Sequence, residues 1–129
     1  MIMETIHLSP DWSKKTILIA EDIDSNYTVL EALLRQTQVH VLRAHNGLEA
    51  IEIISKQVEI DLVLMDLSMP KMNGIEALQQ IRQQMPDKIV IVQTAHDISE
   101  EIVEAKFDDI LQKPIRRNDL IQLLSKYLA

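Results

Sequence analysis

Five short apolar runs recur along the chain, each followed by a stretch with helical spacing, and this alternation constrains the fold more than any other feature. The runs are Thr16-Ile-Leu-Ile-Ala20, Val39 to Ala44, Asp61-Leu-Val-Leu-Met65, Ile89-Val-Ile-Val92 within Lys88 to Gln93, and Asp109 to Gln112. Between and after them apolar residues fall three and four apart. Leu30, Leu33, Leu34 and Thr37 mark a helix over 25–36, and Ala50, Ile51, Ile54 and Val58 mark one that starts at Asn46. Ile75, Leu78, Ile81 and Met85 mark a third over 74–85, stopped by Pro86. Asp97-x-x-Glu100 reads as a capping box for a short helix to about Lys106. Leu120, Leu123, Leu124, Tyr127 and Leu128 mark the last, over 116–128. Strands that read as near-continuous apolar runs are parallel strands covered on both faces. With right-handed crossovers the expected architecture is an α/β, flavodoxin-like doubly wound five-stranded parallel sheet, strand order 2-1-3-4-5, with five helices.

A chain of 129 residues makes one domain. Residues 1–14, with Pro10 and an isolated Trp12, read as a loosely ordered leader or linker, and 15–129 as the domain. The absence of cysteine excludes disulfides, thiolate metal sites and a cysteine nucleophile, and fits a reducing, cytoplasmic setting. Gly47 and Gly74 are the only glycines, too few for a Gly-rich phosphate loop or a dinucleotide fingerprint. Four aromatic residues and a net charge of −7 argue against a nucleic-acid surface. No apolar run approaches the ~18 residues of a membrane span, and 1–13 lack the pattern of a signal peptide.

In a doubly wound sheet the ligand site lies beyond the carboxyl ends of the strands, at the switch point. Glu21 and Asp22 follow the first strand, Asp66 the third, Thr94 the fourth and Lys113 the fifth. Three converging carboxylates repel, so one is protonated or a cation binds. An all-oxygen donor set favours Mg²⁺, Mn²⁺ or Ca²⁺. A lysine and a hydroxyl opposite that cation point to an anion between them. A carboxylate nucleophile, a divalent metal and a lysine clamp are the parts of phosphoryl transfer.

At these residues the sequence resembles the response-regulator receiver domain of two-component signalling. The likeness rests on Glu21-Asp22, on Asp66 within Met65-Asp-Leu-Ser-Met-Pro-Lys-Met-Asn-Gly74, on Thr94-Ala95, and on Asp108-Asp109-Ile-Leu-Gln-Lys113-Pro114, and covers about 16–129. Ile-Leu-Ile-Ala-Glu-Asp followed by Asn26, Thr94-Ala-His96, Lys113-Pro-Ile115, and Trp12 and Lys15 upstream make it most similar to receivers attached to hybrid sensor histidine kinases. The resemblance implies that Asp66 accepts a phosphoryl group from a phosphohistidine on a histidine kinase or histidine phosphotransfer domain. Asp22, Asp66 and the Ser68 backbone carbonyl would bind Mg²⁺ (Mn²⁺ as a substitute), with Glu21 acting through a metal-bound water. Lys113 would pair with phosphoryl oxygens, Thr94 would swing toward them, and Pro114 would follow a cis bond. Ser68 and His96 would tune hydrolysis. The module would assist only its own phosphorylation and dephosphorylation, on the cytoplasmic side if attached to a membrane-bound kinase.

Departures from the family pattern are the Glu-Asp pair where Asp-Asp is commoner, Lys106-Phe107 for the usual Gly-Ala, and Ile110 where the family usually has the aromatic ring of its switch. Two other readings compete. Asp22-Ile-Asp24-Ser25 imitates the D-x-D opening of haloacid-dehalogenase-like phosphatases, though Asp108-Asp109 precede Lys113 in the wrong order for that family and there is no room for a cap. A pseudo-receiver that never accepts phosphate is opposed by the intact acidic set, Thr94 and Lys113. Asp24 or Ser25 reads as a helix cap, and His7, His40 and His45 as solvated. Ile121 widens the apolar face of the last helix, which is either deeply buried or a self-association face with the fourth helix and fifth strand. Tyr27 and Leu30 are candidates to meet a phosphotransfer partner.

Overall fold

The computed structural model describes residues 9–56, 59–95 and 97–128. Val58, His96, His7 and the rest of 1–8 therefore lie outside the described residues. The strands are β1 (Thr16–Ala20), β2 (His40–Ala44), β3 (Leu62–Asp66), β4 (Val90–Thr94) and β5 (Asp109–Gln112). They alternate with α1 (Asp24–Leu34), α2 (Gly47–Lys56), α3 (Gly74–Gln84), α4 (Glu100–Ala105) and α5 (Arg117–Leu128). All strand pairs are parallel and the order is β2-β1-β3-β4-β5, as the alternation predicts.

Side chains alternate across a strand, so each central strand feeds two cores. Ile17, Ile19, Leu62, Leu64 and Ile91 pack with Leu30 and Leu34 of α1 and Leu120, Leu124 and Leu128 of α5. Leu18, Ala20, Val63, Met65 and Val90 pack with Ala50 and Ile54 of α2 and Ala77, Leu78 and Ile81 of α3. Along the apolar stripe of α5, Leu120, Leu124 and Leu128 are buried, while Ile121, Leu123 and Tyr127 are half-buried.

Three local expectations are corrected. Trp12 is not part of a loose leader: it is 4% exposed in the α1/α5 core, and its backbone N–H donates to the Thr37 carbonyl at 2.8 Å. The indole is large and apolar enough to hold the segment before β1 against the domain. Asp97 does not cap α4. Ser99 does, its hydroxyl accepting from the Ile102 N–H at 3.3 Å. Neither Asp24 nor Ser25 caps α1: the cap position is Ile23, with no side-chain cap bond, and the Asp24 carboxylate meets Arg43 at 2.8 Å instead.

Candidate functional site

Each site residue ends or follows a strand because the sheet core stops there. β1 is buried through Ala20, and the chain then delivers Glu21 and Asp22 to the carboxyl edge. Glu21 is fully buried, and its backbone N–H donates to the Ala44 carbonyl at 2.9 Å, so β2 holds the turn. Arg43 of β2 completes that hold. Its guanidinium donates twice to the Glu21 carbonyl, at 3.2 and 3.0 Å, pairs with Asp24, and lies 4.6 Å over the Tyr27 ring.

Asp66 is the last residue of β3, buried at 6% exposure. Behind it the loop returns into α3 through Asn73 and Gly74. The Gly74 N–H donates to the Leu67 carbonyl at 2.9 Å, and a Cβ at Gly74 would stand 2.5 Å from the Asp66 carbonyl oxygen. Only glycine lets the helix start so close to the strand end. Asn73 and Glu76 form a reciprocal capping box, at 2.9 and 3.1 Å, which fixes the start of α3.

Lys113 follows β5 and precedes a cis peptide bond to Pro114. Its N–H donates to the Thr94 carbonyl at 2.8 Å, tying the two strand ends together. Its ammonium lies 3.2 Å from Glu21 Oε1 and 3.6 Å from Asp66 Oδ2. Carboxylate oxygens of Glu21, Asp22 and Asp66 lie within 4.8 Å of one another. Thr94 is buried at the end of β4. Residue 68 follows β3, and the Ser68 side chain is exposed.

The charge balance is unfavourable without a cation. Three carboxylates face one lysine, and burial, then the Glu21 charge, push the Asp66 carboxyl up to about 6, with Lys113 pulling the other way. Asp22 Oδ1 is buried with no hydrogen-bond partner among the described residues. An orphaned carboxylate oxygen beside two further carboxylates fits a hard divalent cation, and the buried acidic cluster fits Mg²⁺.

Some predicted residues fall elsewhere. Asp24, the second acid of the phosphatase-like D-x-D, has a side chain 87% exposed and paired with Arg43, outside the acidic cluster. Leu30 is buried at 2% and offers almost no surface to a protein partner. The exposed apolar side chains near it are Ile23 and Val29. His40 is exposed, and the His45 ring lies 2.9 Å from the Glu49 carboxylate. Ile110 is half-buried on β5. Sequence reading missed Arg43, whose only signal is a lone charge inside an apolar strand run.

Fold and site together define a class: a doubly wound α/β domain with a lysine-clamped acidic cluster at its switch point. Residues 17–125 match the response regulator receiver domain family, and the chain belongs to it. It is 40% identical over 116 residues to the transcriptional regulatory protein ZraR of Klebsiella oxytoca, covering 88% of this chain and 26% of that protein. Among solved structures it is similar to the receiver domain of sensor histidine kinase PA1611 from Pseudomonas aeruginosa PAO1, which has a magnesium ion coordinated in its active site cleft. There the TM-score is 0.82 at 30% identity, with 88% and 97% of the two chains covered. It is also similar to a chain in the co-crystal structure of Saccharomyces cerevisiae Ypd1, a histidine phosphotransfer signalling protein, with the receiver domain of Ssk1. That likeness has TM-score 0.81 and 26% identity and covers 93% and 90% of the two chains. The chain is a two-component signalling receiver domain, and it spans about a quarter of ZraR's length.

Proposed function

We propose that this receiver takes a phosphoryl group onto Asp66. The observation that carries the reading is the Lys113 ammonium 3.6 Å from a buried Asp66 carboxylate, beside the orphaned oxygen of Asp22. An Asp66 oxygen attacks the phosphorus of a phosphohistidine. The N–P bond breaks, the imidazole leaves with its electron pair, and an acyl phosphate remains. Lys113 exchanges part of its pairing with Asp66 for the phosphoryl oxygens, whose charge it balances. Asp22, Asp66 and the carbonyl of residue 68 would hold Mg²⁺ or Mn²⁺, with Glu21 acting through water. The metal would neutralise charge on the transferring group. Thr94, buried at the adjoining strand end, would turn its hydroxyl toward the phosphoryl group and bias the conformation.

The donor is a histidine kinase or histidine phosphotransfer domain, a reading supported by the phosphotransfer protein bound to the Ssk1 receiver. The chain's catalysis is confined to its own phosphorylation and dephosphorylation, in the cytoplasm. Among the described residues no helix is long and apolar enough to cross a membrane. Self-association would use α4, β5 and α5, where Val103 of α4 is exposed, as is Ile98 just before that helix.

Incubation with acetyl phosphate and Mg²⁺, read by intact mass, tests the reading. One phosphoryl group is gained by the wild type and none by Asp66→Ala. An equal gain in Asp66→Ala, or none in the wild type, contradicts it.

A further inference from the structure

Lys113 borders a cavity as well as the acidic cluster. A pocket of about 420 Å³ opens between α1 and the Lys113–Ile115 turn. Its apolar lining comes from Val29, Leu30, Pro114 and Ile115, and Gln93 of β4 lines it as well. Val29 is 53% exposed and Gln93 is 0% exposed, so the lining runs from a surface side chain to a buried one.

Gln93 is anomalous for its place. It sits between Asp66 of β3 and Leu111 of β5 in the sheet, and strand alternation puts it on the α1/α5 face with Ile91. Neither its Nε2 nor its Oε1 has a hydrogen-bond partner among the described residues. A buried, unpaired amide destabilises a core that leucine or methionine would fill at no such cost. A polar group kept there despite that cost marks a place where something else supplies the missing partners. The pocket's size and its mostly apolar wall with few polar groups are those of a small-molecule site, which typically spans about 300–1,000 Å³.

We propose that this pocket binds a small planar molecule bearing an amide or lactam edge. A carboxamide presents a donor and an acceptor side by side, and its complement is an acceptor and a donor in the same plane. Primary carboxamides on aromatic rings and lactam heterocycles have that edge and a flat apolar body for Val29, Leu30, Pro114 and Ile115. The depth of Gln93 favours a slender molecule over the convex surface of a protein partner. Lys113 lines this pocket and also meets Asp66, but the test reads binding of neutral probes and not phosphorylation, so its failure and that of the phosphoryl-transfer reading are distinguishable.

The test is a ¹⁵N–¹H correlation titration of the full chain with nicotinamide and with 2-pyridone, using N,N-dimethylnicotinamide as the donor-less control. Both probes shift the Gln93 side-chain NH₂ signals and the backbone signals of Val29 and Ile115, saturably and in the millimolar range. The control binds at least tenfold more weakly. Gln93→Leu loses at least tenfold in affinity for both probes while melting several degrees higher than the wild type, because an unpaired amide has been removed. No saturable shift up to the solubility limit, or unchanged affinity in Gln93→Leu, overturns the proposal. So does movement of the Gln93 signals on adding a histidine phosphotransfer domain but with neither probe, which assigns the pocket to a protein partner.

Discussion

Asp66 holds its proton more tightly in the folded chain than in the unfolded one. Its carboxyl is raised from 3.8 to about 6, first by burial and then by Glu21. A raised carboxyl contributes stability that is fully present below 3.8 and is lost as pH rises through about 6. At neutral pH without metal the domain therefore bears the full cost. Asp66→Asn removes the charge and keeps the shape. In metal-free buffer it melts above the wild type at pH 7.5, and the gap closes toward pH 4. Mg²⁺ then raises the melting temperature of the wild type more than that of the variant. Thermal melts across pH check this, and a gap independent of pH contradicts it. At this scale the sequence was informative where chemistry follows a strand end: Glu21, Asp22, Asp66 and Lys113 were all visible as polar groups after apolar runs. Arg43 and Gln93 were not. Each lies inside a strand run, and its meaning depends on which strand and helix lie beside it.

The elements show the same division between local and tertiary information. Strand runs and helix spacing located the five strands and five α-helices to within a few residues, because burial on two faces leaves a continuous apolar signature. Caps were harder to place. Several polar residues stood at each helix start, and the chain chose Ser99 and Asn73 by which side chain reached the third N–H. Lys106 shows an element forcing a residue. Lys106-Phe107 stands where the family usually has Gly-Ala, and Lys106 closes α4 in the left-handed region at φ 62°, as a glycine would. That conformation costs a non-glycine residue about 1 kcal/mol or more. Lys106→Gly is therefore expected to stabilise the domain by about 1 kcal/mol, since the native turn is already glycine-like. Urea unfolding measures it, and a loss of stability contradicts it.

Across the whole molecule, the strand–helix alternation led to the sheet order, and the sheet order to a single edge where distant residues meet. Trp12 is not legible as a core residue because no local pattern announces that it returns to a core built by Leu30, Leu34 and Leu128, residues far along the chain. Trp12→Ala is expected to cost about 3–5 kcal/mol, the range for deleting a buried aromatic. As the chain has one tryptophan, the wild type's emission is expected to shift to longer wavelength on unfolding in the same transition as its circular dichroism. An emission already at the solvent-exposed wavelength in the native state contradicts the buried placement.

The central claim is that the carboxylate of Asp66, and no other, attacks phosphorus at the edge where Lys113 and the acidic cluster meet. An acyl phosphate is reduced by borohydride to an alcohol, which marks its position covalently. The most direct test treats the phosphorylated chain with borohydride and maps the product by peptide mass spectrometry. The account predicts homoserine at position 66 alone, dependent on Mg²⁺. Reduction at position 22, 24 or 109, or a phosphoryl group on a serine or threonine that borohydride leaves untouched, would contradict it.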